Sequence, residues 1–283
     1  MKFIRFVKNA STRLGLLEGS IIYDITEQVT SQDISTLKAH TDQLKQLNKA
    51  HLVALPLGDI DRVLECVADI GKIICIGANS STHNQEIGVE LKEPMFFFKP
   101  RSAIWGAMDP IPYTEMNQKV DWEGELAVVI GKQGKNISAA NAMEYVFGYA
   151  CFNDLSDRYW QFKDGGAEIG GQTCMAKCFD GFAPLGPTLV TKDEIDDPEN
   201  LQMTLKVNGE IRQDFNSSDY IRGVTECVSQ LSRFMTLNPG DIIALGSGPG
   251  NAQHWNEQYL QPGDTVSFHI EGLGTQHQTV VKA

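Results

Sequence analysis

"DWEGELAVVIG", residues 121–131, joins three alternating carboxylates to an unbroken apolar run. The run Leu126-Ala127-Val128-Val129-Ile130 is rich in residues that favour extended backbone and reads as a buried β-strand. In a strand, residues i, i+2 and i+4 share a face. Asp121, Glu123 and Glu125 therefore crowd one side of the entrance to a core strand. Like charges so placed repel, and more strongly near a desolvated strand than in water. The spacing fits a solvated acidic edge or a set of oxygen ligands, and on spacing alone the two stand level. The second reading draws on the apolar flanks and on a second strand-like stretch, "GYACFND" (148–154), that also ends in an acid, Asp154. Oxygen donors from two strand ends suit a hard divalent cation, Mg²⁺, Mn²⁺ or Ca²⁺, rather than zinc.

Outward from this strand the chain divides unevenly. Residues 1–65 read as a small N-terminal α+β module. It holds a hairpin turning at Glu18-Gly19 and a helix over roughly 33–49 with Ile34, Leu37, Leu44 and Leu47 at helical spacing. From about residue 70 strands dominate. "KIICIG" (72–77) and "PMFFFKP" (94–100) read as strands, "SAANAMEYV" (138–146) as a helix capped by Ser138, and 219–235 as an amphipathic helix. "LQMTLKVNGEIRQDF" reads as a hairpin turning at Asn208-Gly209, and "NPGD" (238–241) and "QPGD" (261–264) each launch a further strand. Helices between strands are too few for a doubly wound parallel sheet, so the expected class is α+β, mainly β, with a mixed sheet.

Composition narrows the function classes. The 283 residues are 42% hydrophobic with a formal net charge of −12 and no basic cluster, which argues against nucleic acid or an anionic membrane as partner. No apolar run approaches the ~20 residues of a membrane span, and the N-terminus lacks the apolar core of a signal peptide. A soluble cytoplasmic protein is expected. The six cysteines sit mostly in apolar sequence, as reduced buried thiols do. Cys174 and Cys178 form half of a zinc pattern, with no second pair at matching spacing.

Three further stretches carry chemistry. In "IGANSSTHNQEIG" (76–88), His83 and Glu86 lie at i, i+3, so one helical turn places them on one side. A carboxylate beside an imidazole orients it and raises its basicity, as a water-activating base requires. Residues 154–187 form a long glycine-punctuated segment with Arg158, Gln161 and Lys177 near an anionic ligand's expected place, and 161–177 reads as either a lid or a disordered segment. "ALGSGPG" (244–250) follows a buried strand and offers backbone N–H groups to an oxyanion, but it lacks the Gly-Lys-Ser/Thr of a phosphate loop.

Taken in order, these residues resemble the fumarylacetoacetate hydrolase family over roughly residues 70–283, and most closely its bacterial and mitochondrial domain-containing branch. The resemblance rests on "IGANSSTHNQE", "FFFKP", "VDWEGELAVVIGK", "GYACFNDLSDRYWQ", "AKCFDGFAPLGP", "LKVNGEIRQDFNSSD" and "LSRFMTLNPGDIIALGSGPG". It implies a mixed β-sandwich roll, usually a homodimer. It also implies metal ligands at Glu123, Glu125 and Asp154, a catalytic dyad at His83 and Glu86, and a catalytic lysine at Lys177. Arg158, Gln161, Lys99, Ser247 and Gly246 are implied in substrate binding, and Asp121 is a neighbour rather than a ligand. The family's Tyr before the histidine is here Ser80, its Ser or Thr after the lysine is Cys178, and its loop Thr is Ser247. These changes are expected to lie around the substrate.

The implied reaction is Mg²⁺-dependent hydrolysis of a C–C bond in an anionic 1,3-dioxo or 2-oxo acid of the acylpyruvate type, with Mn²⁺ or Ca²⁺ as substitutes. Decarboxylation or keto–enol tautomerisation of a β-keto acid such as oxaloacetate, and isomerisation of the 2-hydroxyhepta-2,4-diene-1,7-dioate type, share the same machinery. A catalytically silent binder is the reading from another class.

Overall fold

From Trp122 to Ile130 the chain alternates faces as a strand must. Trp122, Leu126, Val128 and Ile130 enter one apolar cluster, and Ala127 and Val129 enter another on the opposite side. Every residue from Gly124 to Ile130 is buried, so the run is apolar without alternation because both faces of the sheet are covered. The computed structural model describes residues 1–88, 91, 93–162 and 171–283.

In chain order, β1 (Lys2–Lys8), β2 (Ser11–Glu18) and β3 (Ile21–Asp24) form an antiparallel run. Helices α1 (Ile34–Ala39) and α2 (Thr41–Lys45) follow. Next come β4 (Ile73–Gly77), α3 (Ser81–Ile87), β5 (Met95–Lys99), β6 (Gly124–Ile130) and β7 (Val146–Asn153). Short helices α4 (Arg158–Gln161) and α5 (Thr173–Lys177) precede β8 (Thr188–Thr191). The remainder is β9 (Gln202–Val207), β10 (Glu210–Asn216), α6 (Val224–Phe234), β11 (Ile242–Ser247), β12 (Thr265–Ile270) and β13 (Gly274–Lys282).

The large sheet runs β3-β2-β1-β8-β7-β6-β11-β4-β5. It is mixed: β11 and β4 are parallel, while β6 is antiparallel to both its neighbours. A second sheet, β10-β9-β12-β13, covers one face, and its Met203, Leu205, Phe268 and Ile270 join Leu126 and Val128. The other face meets Ile34, Leu37 and Leu44 of α1 and α2. The N-terminal strands are hydrogen-bonded into the large sheet, with Phe3 opposite Leu189. This is the expected mainly-β, mixed architecture. Among the described residues no helix is long and apolar enough to cross a membrane.

Three helix expectations are corrected. The helix over 33–49 is two helices broken at His40. There the His40 ring takes the Thr36 carbonyl and the Thr41 hydroxyl donates to the Leu37 carbonyl, competing with helical bonding. The segment after Ser138 is a 3₁₀ turn, Ala139–Glu144, without a side-chain cap. Helix α6 starts at Val224 rather than near 219, because Ile221 N–H and Arg222 N–H are donated to Asn79 instead. The Asn208-Gly209 turn is as expected, with φ of 53° and 83°.

No cysteine is in a disulfide. Cys66, Cys75, Cys151 and Cys227 are buried, and only Cys174 and Cys178 are exposed. Burial pushes the Cys151 and Cys227 thiols up to about 12, and raises Cys66 and Cys75 as well. Since the thiolate is the reactive form, a maleimide on native protein is expected to label Cys174 and Cys178 alone, counted by intact mass. A third label before unfolding would contradict this burial.

Candidate active site

The sheet brings Glu123, Glu125 and Asp154 together. Gly124 pairs with Asn153 across β6 and β7, the Asn153 side chain accepts from Glu123 N–H at 3.0 Å, and Asp154 N–H donates to the Glu123 carbonyl at 2.8 Å. One oxygen from each of the three carboxylates lies within 4.8 Å of the others. Gly124 between the glutamates has no room for a side chain, since a Cβ there would stand 2.6 Å from the Phe268 ring.

Three buried cations face this cluster. Lys99 Nζ bonds Asp154 Oδ1 at 2.6 Å, and Lys177 Nζ bonds Asp154 Oδ2 at 2.8 Å and also Glu123. Arg158 Nε reaches Asp121 Oδ2 at 2.7 Å, Nη2 reaches Glu123 Oε1 at 2.5 Å and Nη1 reaches Gln161 at 2.6 Å. Burial disfavours ionised Glu123, but Arg158 and Lys177 overcome it and hold the carboxyl well below its usual range. Glu125 goes the other way: burial, then the charges of Asp154 and Glu123, push it well above. Its single hydrogen bond comes from Gly246 N–H to Oε2, at 2.8 Å, which leaves Oε1 unbonded among the described residues. An all-oxygen set with one carboxylate short of a cation fits a hard divalent ion. Asp121 is no solvated acid. It is fully buried and spends its oxygens on Arg158 and on the N–H groups of Ala252 and Gln253, at 2.6 and 3.3 Å.

His83 and Glu86 share one turn of α3, with His83 Nδ1 2.8 Å from Glu86 Oε2. A carboxylate at Nδ1 favours the tautomer with the proton there, leaving Nε2 as the acceptor. Ser80 caps this helix, accepting from His83 N–H at 3.1 Å while its hydroxyl donates to Asp219. The Ser80 substitution therefore holds the dyad's helix and does not line the ligand space, contrary to expectation; Cys178 also lies outside it.

Between dyad and acidic cluster lies a cavity of about 330 Å³. Glu123, Glu125, Asp154, Arg158 and Lys177 form its charged end, and His83, Gln161 and Ser247 also line it. On β5, Met95 and Phe97 line it while Lys99, two residues on, turns back to Asp154. Lys99 therefore props a proposed ligand instead of facing the cavity, Glu86 stands behind His83, and the Gly246 N–H is already given to Glu125. Residues 163–170 of the expected lid lie outside the described residues. Its flanks are tied together by Gln172 N–H to the Trp160 carbonyl, at 2.9 Å.

The sequence reading missed Asn251, Gln253 and His254, which line the cavity from the loop after β11. A lone histidine in "NAQHWNE" has no partner at a telling spacing. The signal was spatial: Asp121 and Trp122, from the opening motif, bond this loop, with Trp122 Nε1 on the Gly250 carbonyl at 3.0 Å.

Residues 72–281 match the family model described as fumarylacetoacetate (FAA) hydrolase C-terminal. A mitochondrial oxaloacetate tautomerase of Xenopus laevis is 44% identical over 212 residues, covering 74% of this chain and 65% of that protein. Among solved structures, fumarylacetoacetate hydrolase from Exiguobacterium antarcticum superposes with a TM-score of 0.87 at 33% identity, covering 100% of both chains. Maleylpyruvate hydrolase from Sphingobium sp. SYK-6, in complex with manganese(II) and pyruvate, gives 0.83 at 30% identity, again over 100% of both chains. With its acidic cluster and dyad set on this fold, the chain belongs to the fumarylacetoacetate hydrolase family and is an enzyme of that family.

Proposed function

We propose that the chain is a divalent-metal-dependent hydrolase that cleaves a C–C bond in a 1,3-dioxo acid of the acylpyruvate type. One observation carries this reading: a three-carboxylate cluster shares one cavity with the histidine of a histidine–glutamate dyad. A silent binder would need no such dyad. Glu123, Glu125 and Asp154 would hold Mg²⁺, with Mn²⁺ or Ca²⁺ as substitutes. When bound, the ion supplies Lewis-acid polarisation of carbonyl oxygen and neutralises enolate charge.

His83 Nε2 takes a proton from water, and Glu86 holds the imidazolium that results. The water oxygen bonds to the acyl carbon, and the bond from that carbon to the neighbouring methylene breaks. Its electron pair passes to the pyruvyl enolate, and the His83 proton returns to the methylene carbon. Lys177, at the cavity's charged end, offsets the charge that develops there. The tautomerase relative supports a second reading, proton transfer on oxaloacetate by the same His83 with no attacking water. The six unpaired cysteines suit a reducing compartment such as the cytoplasm. A homodimer is part of the same proposal, and Phe98 and Phe234, both beside Phe96 and 46% and 65% exposed, offer apolar surface for it.

Stripping with EDTA is expected to abolish turnover of acetylpyruvate and oxaloacetate, and Mg²⁺ or Mn²⁺ to restore it. Glu125→Gln should lose Mn²⁺ binding by calorimetry. His83→Ala should keep that binding and lose about 100-fold or more in kcat. Full turnover in EDTA, or Mn²⁺ bound equally by a Glu123→Ala/Glu125→Ala variant, sinks the metal reading. Asp121→Ala leaves a buried guanidinium short of one partner and is expected to lower stability by about 3–5 kcal/mol. An unchanged urea midpoint would show that the Asp121–Arg158 pair is not holding the site.

A further inference from the structure

One imidazole in the cavity has no use in this mechanism. His254 lines the same space, its ring centroid 5.9 Å from that of His83 in an edge-on arrangement. Its Nε2 is buried and has no hydrogen-bond partner among the described residues. Leaving a buried ring nitrogen without a partner is costly, and such an atom on a cavity-lining residue marks a place where a ligand supplies the missing bond.

The loop that presents it is held from three sides. Asp121 accepts the N–H groups of Ala252 and Gln253, Trp122 Nε1 donates to the Gly250 carbonyl, and Gln213 Nε2 donates to Asn251 Oδ1 at 2.8 Å. His254 N–H closes the turn on the Asn251 carbonyl at 2.9 Å. The ring thus sits on a turn anchored to the core strand's own entrance, which is preorganisation for recognition. Of the neighbouring polar groups, the Ser247 hydroxyl and the Asn251 Oδ1 are already engaged, with each other and with Gln213. The rest of the lining includes Ile76, Ile87, Met95, Phe97 and Phe162, which are apolar or aromatic. An oxygen atom on the part of a ligand that extends past His83 therefore meets His254, with the Gln253 side chain as its polar neighbour in the same lining.

Resting on the reading of a metal-held oxo acid, we propose that His254 Nε2–H hydrogen-bonds a terminal carboxylate or carbonyl oxygen. The site thereby selects 2-oxo acids with an oxygen-bearing far end over those with an alkyl end. His254 is here a specificity residue, and His83 keeps the proton transfer.

Calorimetry on the Mn²⁺-loaded full chain separates the claims with three inert probes. These are oxalate, which has no tail, 2-oxoadipate, with a terminal carboxylate, and 2-oxohexanoate, of equal length with a methyl end. Wild type is expected to bind 2-oxoadipate about tenfold or more tighter than 2-oxohexanoate, the scale of one matched polar contact. His254→Ala should bring that ratio to about one while leaving oxalate affinity within about twofold, and His254→Gln, which keeps a donor, should restore part of the ratio. A ratio near one in wild type, an unchanged ratio in His254→Ala, or equal loss for all three acids in that variant overturns the proposal alone. Failure of the Mn²⁺-loaded wild type to bind oxalate overturns the metal-held acid, and this inference with it.

Discussion

The polar architecture depends on one buried guanidinium. Arg158 is 4% exposed and lies between Asp121 and Glu123, with Gln161 on its third nitrogen. Taking such a charge out of water costs several kcal/mol, which only close partners with good geometry offset. The partners come from the entry to β6, and Arg158 itself from the start of α4, so forming this network fixes both segments. Asp121 extends it, because the same carboxylate holds the turn at Ala252 and Gln253. One ion-paired cluster thereby joins the acidic end of the cavity to the loop on its far side.

The cluster leaves a specific electrostatic deficit. Lys99, Lys177 and Arg158 satisfy Asp154, Glu123 and Asp121, and among the described residues Glu125 receives only a backbone N–H. A protein needing only a stable core would lose little by replacing Glu125 with an apolar residue, since an unpaired buried carboxyl is costly. Keeping it next to two other carboxylates makes sense where a cation joins them. Lys177 Nζ bridges Glu123 and Asp154 and also stands 4.9 Å over the Phe97 ring, so it occupies a position between these carboxylates and the apolar lining.

Most of this was legible in the sequence, for physical reasons. The alternation in 121–131 is a period-2 signal, and a strand preserves it through a structure, so Glu123 and Glu125 could be placed on one face before any coordinates. His83 and Glu86 were legible because an i, i+3 pair needs only one helical turn to meet. Single-residue capping decisions were not legible. Nothing in Ser80 says that it caps a helix instead of facing a ligand, because that depends on Asp219 arriving from 139 positions away. The helix over 33–49 failed for a related reason, since side chains of His40 and Thr41 compete locally for backbone carbonyls and periodicity does not register such competition. His254 was invisible because its meaning comes from the loop's anchorage to Asp121 and Trp122, a contact spanning 131 positions for Asp121 and Ala252.

The division of labour in the cavity follows from which polar atoms are spent. Glu86 spends His83 Nδ1, Glu125 spends the Gly246 N–H, and Gln213 gathers Ser247 and Asn251 into a closed set. The glycine loop thus acts less as a row of open oxyanion donors than as a scaffold that orients a carboxylate. The Nε2 atoms of the two imidazoles, His83 and His254, carry no hydrogen bond to a described residue and stand on adjoining rings. On the proposed reading of a metal-held oxo acid, hydrolysis, decarboxylation and tautomerisation place the same demand on the carboxylate cluster, because all three pass through an enolate. The choice among them is made farther along the substrate, by where a water or an end group is held. In this chain the cavity is lined by two adjoining imidazoles together with aromatic and aliphatic side chains.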